Sequence, residues 1–297
     1  MGINRVEAEA ILSLKRAGKA GSDILCLGRP ELFLSTKEAV KLSQQFKLAW
    51  PDTSVDAIVR ETFAEKFLTT AGFSDVRSLD ASNYEGATIV HDLNTPIPAS
   101  LESTTSFLYD GGTIEHVFDV AAVLSNITRL LKPGGTALIS TCANGQCGHG
   151  FYQFSPELFY RYFEANGFDE VRVYLVGLMA PMRWYLAVDP KKAGRRVQFS
   201  ASEPLQMIVV ARKAVSVAAT IVPQQSDYAE GVWKMSQDQV KSAHKAWHTP
   251  KARLKSAIRD RLAYPAAVAL RHAGIGGVAG LWRRELFQPF DPVKSPV

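Results

Sequence analysis

Residues 105–135, TSFLYDGGTIEHVFDVAAVLSNITRLLKPGG, contain the pattern that decides the fold. The run opens with an apolar stretch that predicts a buried strand, and two glycines follow it as a permissive turn. Asp119 then stands as an N-cap, and apolar residues recur from Val120 with helical spacing, which predicts a helix with one face on a sheet. Lys-Pro-Gly-Gly at 132–135 ends that helix before the next apolar run. A strand, a covering helix and a second strand in this order indicate a parallel α/β unit.

Strands and helices alternate on both sides of this segment. Further strands are predicted at residues 23–28, 76–79, 87–91, 136–141, 170–176 and 206–211, and helices at 36–50, at 60–71 and from the Ser-Pro-Glu start at 155–157 to Gly167. Such alternation predicts a mostly parallel sheet covered on both faces. Ligands of these sheets bind outside the carboxyl ends of the strands, near the point where the strand order reverses. The residues at the strand ends are therefore the candidates for a binding site.

The composition is typical of a soluble protein, because 46% of the 297 residues are hydrophobic and 21% are charged. No apolar run approaches the roughly 20 residues that a membrane-spanning helix needs. Residues 1–19 lack the apolar core and the cleavage site of a secretory signal, so we expect a cytoplasmic protein. The three cysteines, Cys26, Cys142 and Cys147, are few and odd in number, which argues against disulfides.

Four segments in order resemble the motifs of the class I S-adenosylmethionine-dependent methyltransferases. They are Ser-Leu-Asp-Ala-Ser at 78–82, Ala-Thr-Ile-Val-His-Asp-Leu at 87–93, Leu-Tyr-Asp-Gly-Gly-Thr-Ile-Glu-His-Val at 108–117 and Leu-Lys-Pro-Gly-Gly at 131–135. The resemblance covers residues 24–213 and is to a branch of bacterial enzymes that modify sugars, lipids or secondary metabolites. It implies a three-layer α/β, Rossmann-like methyltransferase fold with a mostly parallel seven-stranded sheet. It also implies that the cofactor is S-adenosyl-L-methionine.

The resemblance assigns cofactor contacts to two of the strand ends. It implies that Asp80 accepts hydrogen bonds from both ribose hydroxyls, a task that suits a carboxylate. It places Asp110, Gly111 and Gly112 around the methionine portion of the cofactor and the transferring methyl group. The alternative for Asp80 is a strand-end acid that opens a turn, which is a common use of aspartate.

The adenine contact and the first glycine turn are the weaker parts of the pattern. The resemblance implies that Asp92 takes the adenine amino group and that the amide of Leu93 meets a ring nitrogen, whereas the alternative is an Asp that opens the turn after it. Related enzymes carry several glycines after the first strand, but here only Gly28 remains. Arg29 and Pro30 follow it and leave less room for the backbone to approach a cofactor, and Pro30 offers no N–H.

Two histidines, His116 and His149, and the acid Glu115 are the candidates for acid–base catalysis. Methyl transfer from a sulfonium is an in-line displacement, so the protein aligns the reactants and removes a proton from a hydroxyl acceptor. His149 lies in a glycine-flanked loop after the fifth strand, where Tyr152 and Gln153 could help to hold a polar substrate. His116 follows Glu115 in the Glu-His element of the resemblance. The alternatives are a loop that packs its aromatic residues on the next helix, and a Glu-His pair that only positions its own loop.

We expect no metal site. Cys142, Cys147 and His149 offer three potential ligands, but their spacing is unusual and no second cluster completes them. The preferred interpretation is a loop that happens to contain these residues.

The positive charge is concentrated at the C-terminus. Of the net charge of +5, residues 241–297 contribute +8 from eleven Lys or Arg against three acids, which leaves −3 for residues 1–240. A helix start at Thr249-Pro250 and an apolar stripe through residues 254–262 predict a basic amphipathic helix. It could lie on an anionic membrane or a lipid-linked acceptor, or pack as a solvated helix on the main domain. The glycine-rich run at 274–280 is interpreted as a flexible joint, because no strand precedes it.

These observations predict three parts: an N-terminal helix at 1–22, a methyltransferase-like domain at 23–215 with an insertion at 177–204, and a basic, mostly helical extension at 216–297. The predicted function is S-adenosylmethionine-dependent methyl transfer to an O or N of a small-molecule or glycan-like acceptor. The alternative is a non-catalytic, methyltransferase-like accessory protein that has lost cofactor binding. Nucleic acid is not expected as a partner, because no basic motif is interleaved with aromatic residues.

Overall fold

The structure is a computed structural model, and it describes residues 2–48, 50, 52–179, 182–194, 196–197, 201, 203–230 and 286–297. Its strands are β1 (Gly2–Ile3), β2 (Asp23–Leu27), β3 (Glu31–Leu32), β4 (Asp75–Asp80), β5 (Ile89–Val90), β6 (Thr105–Gly111), β7 (Leu131–Asn144), β8 (Phe168–Gly177), β9 (Arg183–Ala187), β10 (Leu205–Lys213) and β11 (Phe287–Phe290). Its α-helices are α1 (Arg5–Arg16), α2 (Thr36–Phe46), α3 (Asp52–Val59), α4 (Glu65–Thr70), α5 (Val120–Leu130), α6 (Pro156–Ala165), α7 (Pro190–Ala193) and α8 (Ser226–Glu230). The tail helix predicted within 249–262 and the glycine run at 274–280 lie outside the described residues.

A mixed sheet of nine strands forms the centre of the described part, in the order β11-β9-β8-β10-β7-β6-β2-β4-β5. The five strands β7, β6, β2, β4 and β5 are parallel to one another, whereas β10 runs antiparallel to both β7 and β8. This confirms the predicted Rossmann-like fold class. The sheet exceeds the predicted seven strands because β9, from the insertion, and β11, from the C-terminal residues, extend its edge by antiparallel pairing.

Two hydrophobic cores, one on each face of the sheet, make the fold three-layered. Phe107 and Tyr109 of β6 belong to the core that includes α1, α2 and α4, while Leu108 between them belongs to the core that includes α5 and α6. Successive side chains of a strand point to opposite faces, so a strand buried on both sides is apolar throughout. This is why β2, β6 and β7 are recognisable as continuous apolar runs.

The helix that follows β6 forms as its sequence predicts. Asp119 caps α5, and its Oδ1 accepts a hydrogen bond of 2.9 Å from the backbone N of Ala122. α6 begins at Pro156 as predicted, but Ser155 makes no side-chain capping bond. The glycine end predicted for this helix is also present, since Gly167 follows α6 with φ +79°.

Two local predictions were wrong. Residues 60–71 do not form one helix, because α3 ends at Val59 and α4 starts only at Glu65. Residues 132–135 are not a simple turn after α5. Leu131 already pairs with Thr105, and Thr136 pairs with Phe107, so the glycine-containing residues between them form a bulge within β7.

Both ends of the described chain are bonded to the main fold. β1 pairs with β3, and the Tyr109 hydroxyl donates a hydrogen bond of 3.0 Å to the carbonyl of Gly2. At the other end, the buried Val297 donates its backbone N–H to the Ser13 hydroxyl of α1 at 3.2 Å. No helix in the described part of the chain is long and apolar enough to cross a membrane.

Candidate functional site

The strand order reverses at β2, which lies between β4 and β6. Leu27, the last residue of β2, pairs with Leu79 of β4 and with Asp110 of β6. The residues that follow these pairs, Gly28, Asp80 and Gly111, therefore meet at the carboxyl edge of three adjacent parallel strands. In sheets of this type the crevice at such a point is where ligands bind.

The turn after β2 is built around Gly28 and Arg29. Gly28 has φ +73°, which favours glycine, and its N–H donates to the Leu79 carbonyl at 2.7 Å. The Arg29 guanidinium bonds Glu65 of α4 at 2.6 Å and the carbonyl of Glu85 at 2.6 Å. It also lies 3.9 Å from the centre of the Phe63 ring. Arg29 thus fixes the loop that follows Asp80 onto α4.

Asp80 keeps most of its hydrogen-bonding capacity. It is half-buried at the end of β4, and within the described residues its Oδ1 accepts one long bond, of 3.4 Å, from the N of Ser82. Its backbone carbonyl accepts from the N of His91 at 2.8 Å, which joins the ends of β4 and β5. Because its carboxylate is so weakly engaged, Asp80 can still accept hydrogen bonds from two hydroxyl groups.

Asp92 is exposed and is engaged by its own turn. Its Oδ1 accepts from the backbone N of Asn94 at 2.9 Å and from the Asn94 side chain at 2.8 Å. The backbone bond from Asn94 lowers the pKa of Asp92 below its usual value. This is the turn-opening arrangement that sequence analysis offers as the alternative. Leu93 is buried in the core, and its carbonyl accepts from Asn126 at 3.1 Å.

Asp110 is fully buried and faces the backbone of its own loop. Its carboxylate accepts from the N of Gly112 at 3.1 Å, of Thr113 at 2.7 Å and of Ile114 at 3.2 Å. Burial, together with the nearby charge of Glu115, raises the pKa of Asp110 to about 7. These bonds hold the start of a short 3-10 helix, Ile114–His116, so the direct role of Asp110 is to shape this loop.

Two glycines, Gly111 at the end of β6 and Gly112 after it, leave room for neighbouring side chains. A Cβ on Gly111 would lie 2.6 Å from the Tyr109 hydroxyl, and a Cβ on Gly112 would lie 3.0 Å from Oε1 of Glu115. Gly112 also has φ +100°. Both positions line a cavity of about 240 Å³ that opens beside the carboxyl ends of β6 and β7.

Glu115 lies in the wall of this cavity together with His149. Only 2% of the Glu115 side chain is exposed, and its Oε2 accepts from the Thr141 hydroxyl at 2.8 Å. Its Oε1 lies 3.7 Å from Nε2 of His149 and 3.7 Å from Sγ of Cys142. The His149 side chain is 57% exposed, and its ring centre is 4.9 Å from that of His116. The structure therefore brings the two predicted histidines together beside one buried carboxylate.

The loop that carries His149 is fixed by its neighbours. Phe151 donates its N–H to the Glu115 carbonyl at 2.7 Å, and the Tyr152 hydroxyl donates to the Phe118 carbonyl at 2.7 Å. Gln153 accepts from the N of Gln146 at 3.0 Å. Tyr152 and Gln153 thus hold the loop, in line with the packing alternative, and leave His149 as the exposed side chain that reaches the cavity.

Comparison with known proteins gives structural neighbours only. No protein-family model and no curated protein matches the chain. One similar solved structure is a SAM-dependent methyltransferase of Thermotoga maritima, described as a possible histamine N-methyltransferase. It has 15% identity and a TM-score of 0.35, and the match covers 69% of this chain and 88% of that protein. Another is the 1,6-didemethyltoxoflavin-N1-methyltransferase of Burkholderia thailandensis, with 16% identity and a TM-score of 0.34 over 70% and 80% of the two chains. A third is phospholethanolamine N-methyltransferase 2 of Haemonchus contortus, with 13% identity and a TM-score of 0.38 over 70% and 53%.

The strand order with its reversal at β2, and the cores on both faces of the sheet, are those of a Rossmann-like α/β fold.

One residue of the candidate site is missed by the sequence analysis. Glu7 of α1 is buried and lines the same cavity as Glu115. It accepts from the Ser140 hydroxyl at 2.9 Å, from the Gln206 amide, and from the N of Asn4 at 3.0 Å. Burial raises the pKa of Glu7. The sequence does contain a signal for Glu7. This acid lies on the face of α1 that the apolar residues of the helix predict to be buried.

Proposed function

We propose that this protein is an S-adenosylmethionine-dependent methyltransferase that methylates an O or N of a small-molecule or glycan-like acceptor. The observation that carries the proposal is the convergence of Gly28, Asp80 and Gly111 at the point where the strand order reverses. A cavity with titratable side chains opens directly beside it. A cofactor site and an acceptor site would then share the residues after β6.

The cofactor would lie across the ends of β2, β4 and β6. Asp80, with its weakly engaged carboxylate, would accept the ribose hydroxyls, and hydrogen bonds to a charged acceptor are the stronger kind. Gly111 and Gly112, which line the cavity, would lie beside the methionine portion. Asp92 and Leu93 would bound the adenine end, with Asp92 contributing through the shape of its turn.

The acceptor would occupy the cavity at Glu115 and His149. Its volume of about 240 Å³ is just below the usual range of small-molecule pockets, so a small reactive portion of the acceptor fits. His149 would contact the reacting group, and the buried Glu115 would hold its imidazole. Their separation of 3.7 Å is longer than a hydrogen bond, and such contacts commonly tighten when a substrate binds.

Calorimetry tests the cofactor assignment. We expect the full chain to bind S-adenosylmethionine and S-adenosylhomocysteine but not NAD. Asp80→Asn should weaken binding about 10- to 100-fold, because a hydrogen bond to a charged group contributes roughly 1.5–3 kcal/mol. Asp75→Asn is the matched control, since Asp75 lies at the opposite end of β4 and is more than half exposed. Equal binding by both variants would contradict the assignment.

The second candidate is an accessory protein that has lost the cofactor. The turn after β2 favours it, because Gly28 is followed by Arg29, which is tied to Glu65, and by Pro30, which has no N–H. In that case the folded chain would bind neither S-adenosylmethionine nor S-adenosylhomocysteine. The same calorimetry therefore separates the two candidates.

A further inference from the structure

We propose that Glu115, Cys142 and His149 form a binding site for a divalent transition-metal ion, with zinc as the ion that their chemistry favours. The three ligand atoms lie within 4.8 Å of one another in the wall of the acceptor cavity. The proposal does not depend on methyl transfer, because it concerns only the affinity of these side chains for an ion. In the ion-bound state His149 is a ligand and does not itself contact the acceptor.

The distances between the ligand atoms are close to those around a bound metal. Zinc lies about 2.0–2.3 Å from N, O and S ligands, so a tetrahedral site separates its ligand atoms by roughly 3.3–3.8 Å. Oε1 of Glu115 is 3.7 Å from Sγ of Cys142 and 3.7 Å from Nε2 of His149. Two of the three separations thus fit already, and the third involves His149, whose side chain is exposed on a loop.

The ligand types also select the ion. A thiolate, an imidazole and a carboxylate together suit zinc and its neighbours in the first transition row, whereas magnesium and calcium prefer oxygen ligands alone. With the Cys142 proton released to solvent, the two negative ligands balance the charge of a divalent ion. Three protein ligands leave a fourth position, and the cavity offers it to water or to an acceptor atom, as in catalytic zinc sites.

The surroundings hold the ligands in place. Thr141 bonds Oε2 of Glu115 at 2.8 Å, which leaves Oε1 for an ion. The N–H of Phe151 bonds the Glu115 carbonyl at 2.7 Å and keeps the His149 loop against it. A Cβ on Gly150 would lie only 2.6 Å from the same carbonyl, so glycine permits this approach. Such outer contacts orient metal ligands and are part of a working site.

This metal site cannot be predicted from the sequence, because two of its ligands are brought together by strand pairing. Glu115 precedes Cys142 by 27 positions, and only the pairing of β6 with β7 brings their elements together. The third cysteine, Cys147, is exposed, and its sulfur accepts from Gln153 at 3.2 Å. It therefore provides a matched control for Cys142.

Cobalt titration of the chelator-treated full chain tests the proposal. We expect one equivalent of Co²⁺ to bind and to produce the charge-transfer absorption of a thiolate–cobalt bond, and Zn²⁺ to displace it. Cys142→Ser should abolish this absorption, and Cys147→Ser should leave it unchanged. The melting temperature of each metal-free variant shows whether it is folded.

His149→Ala keeps the test decisive if Cys142→Ser does not fold, because His149 is an exposed loop residue. Its loss should weaken Zn²⁺ binding by at least the roughly 10- to 100-fold that loss of an outer-shell partner costs. The proposal is overturned if the folded wild-type chain takes up no Co²⁺, if the absorption survives in Cys142→Ser, or if it disappears in Cys147→Ser. Metal binding is measured in each case without cofactor or acceptor, so the result does not depend on whether the methyltransferase assignment is correct.

Discussion

At the scale of single residues, the surroundings of each acid near the sheet edge determine what it can do. Asp80 has one long hydrogen bond and stays available to a ligand, whereas Asp92 is used by its turn and Asp110 by its loop. Glu115 is buried beside a thiol and an imidazole. Acidic residues at neighbouring strand ends thus differ in what they can bind, and these differences can be tested by substitution.

Asp110 should make stability depend on pH. Its pKa is raised to about 7 in the folded chain, above the value near 4 of an unfolded aspartate, so its stabilising contribution is complete at low pH. That contribution is lost as the pH rises through 7. Asp110→Asn cannot titrate, so the melting temperature of wild type relative to this variant should be highest below about pH 4, fall between about pH 4 and pH 7, and level off above that. A difference that is constant or grows over this range would contradict the raised pKa.

At the scale of elements, the strands and α5 could be predicted because their signals are local. A continuous apolar run, a cap at Asp119 and helical spacing after it need no knowledge of the rest of the chain. The bulge at 132–135 and the edge strands β9 and β11 depend on pairing with distant residues, so no local pattern predicts them. The residues of the candidate site also differ in whether local sequence predicts them. Strand ends identify Asp80, but the contact of Glu115 with Cys142 requires the sheet.

The loop between β6 and the 3-10 helix should tolerate no side chain at Gly112. Its φ of +100° is strained for other residues, and a new Cβ would meet Glu115 at 3.0 Å. Gly112→Ala should therefore lower the free energy of unfolding by about 1–3 kcal/mol. Urea denaturation measures this change. Gly148→Ala is the control, because nothing lies within 4 Å of its Cβ position, and an equal loss in both variants would disprove the explanation.

At the scale of the whole molecule, the C-terminal residues complete the sheet. β11 pairs with β9, Phe287 is fully buried, and Val297 reaches α1 at the other face of the fold. The edge of the sheet is thus covered by a segment that lies more than seventy residues after β10. The C-terminal residues act as part of the main fold, and its stability should depend on them.

Phe287→Ala measures that dependence. Removing a buried phenylalanine side chain typically costs about 3–5 kcal/mol, and the midpoint of urea denaturation should fall accordingly. Gln288→Ala, at the exposed neighbouring position of β11, should change the free energy of unfolding by less than about 0.5 kcal/mol. Equal stability of the Phe287→Ala variant and wild type would mean that the main fold does not rely on β11.

The central claim is that a sulfonium cofactor binds where the strand order reverses. A crystal structure of the chain grown with S-adenosylhomocysteine tests it most directly. The ribose hydroxyls should lie within hydrogen-bonding distance of Asp80, the homocysteine portion over Gly111 and Gly112, and the sulfur towards the cavity of Glu115 and His149. A ligand bound away from the ends of β2, β4 and β6, or no bound ligand at saturating concentration, would contradict the claim.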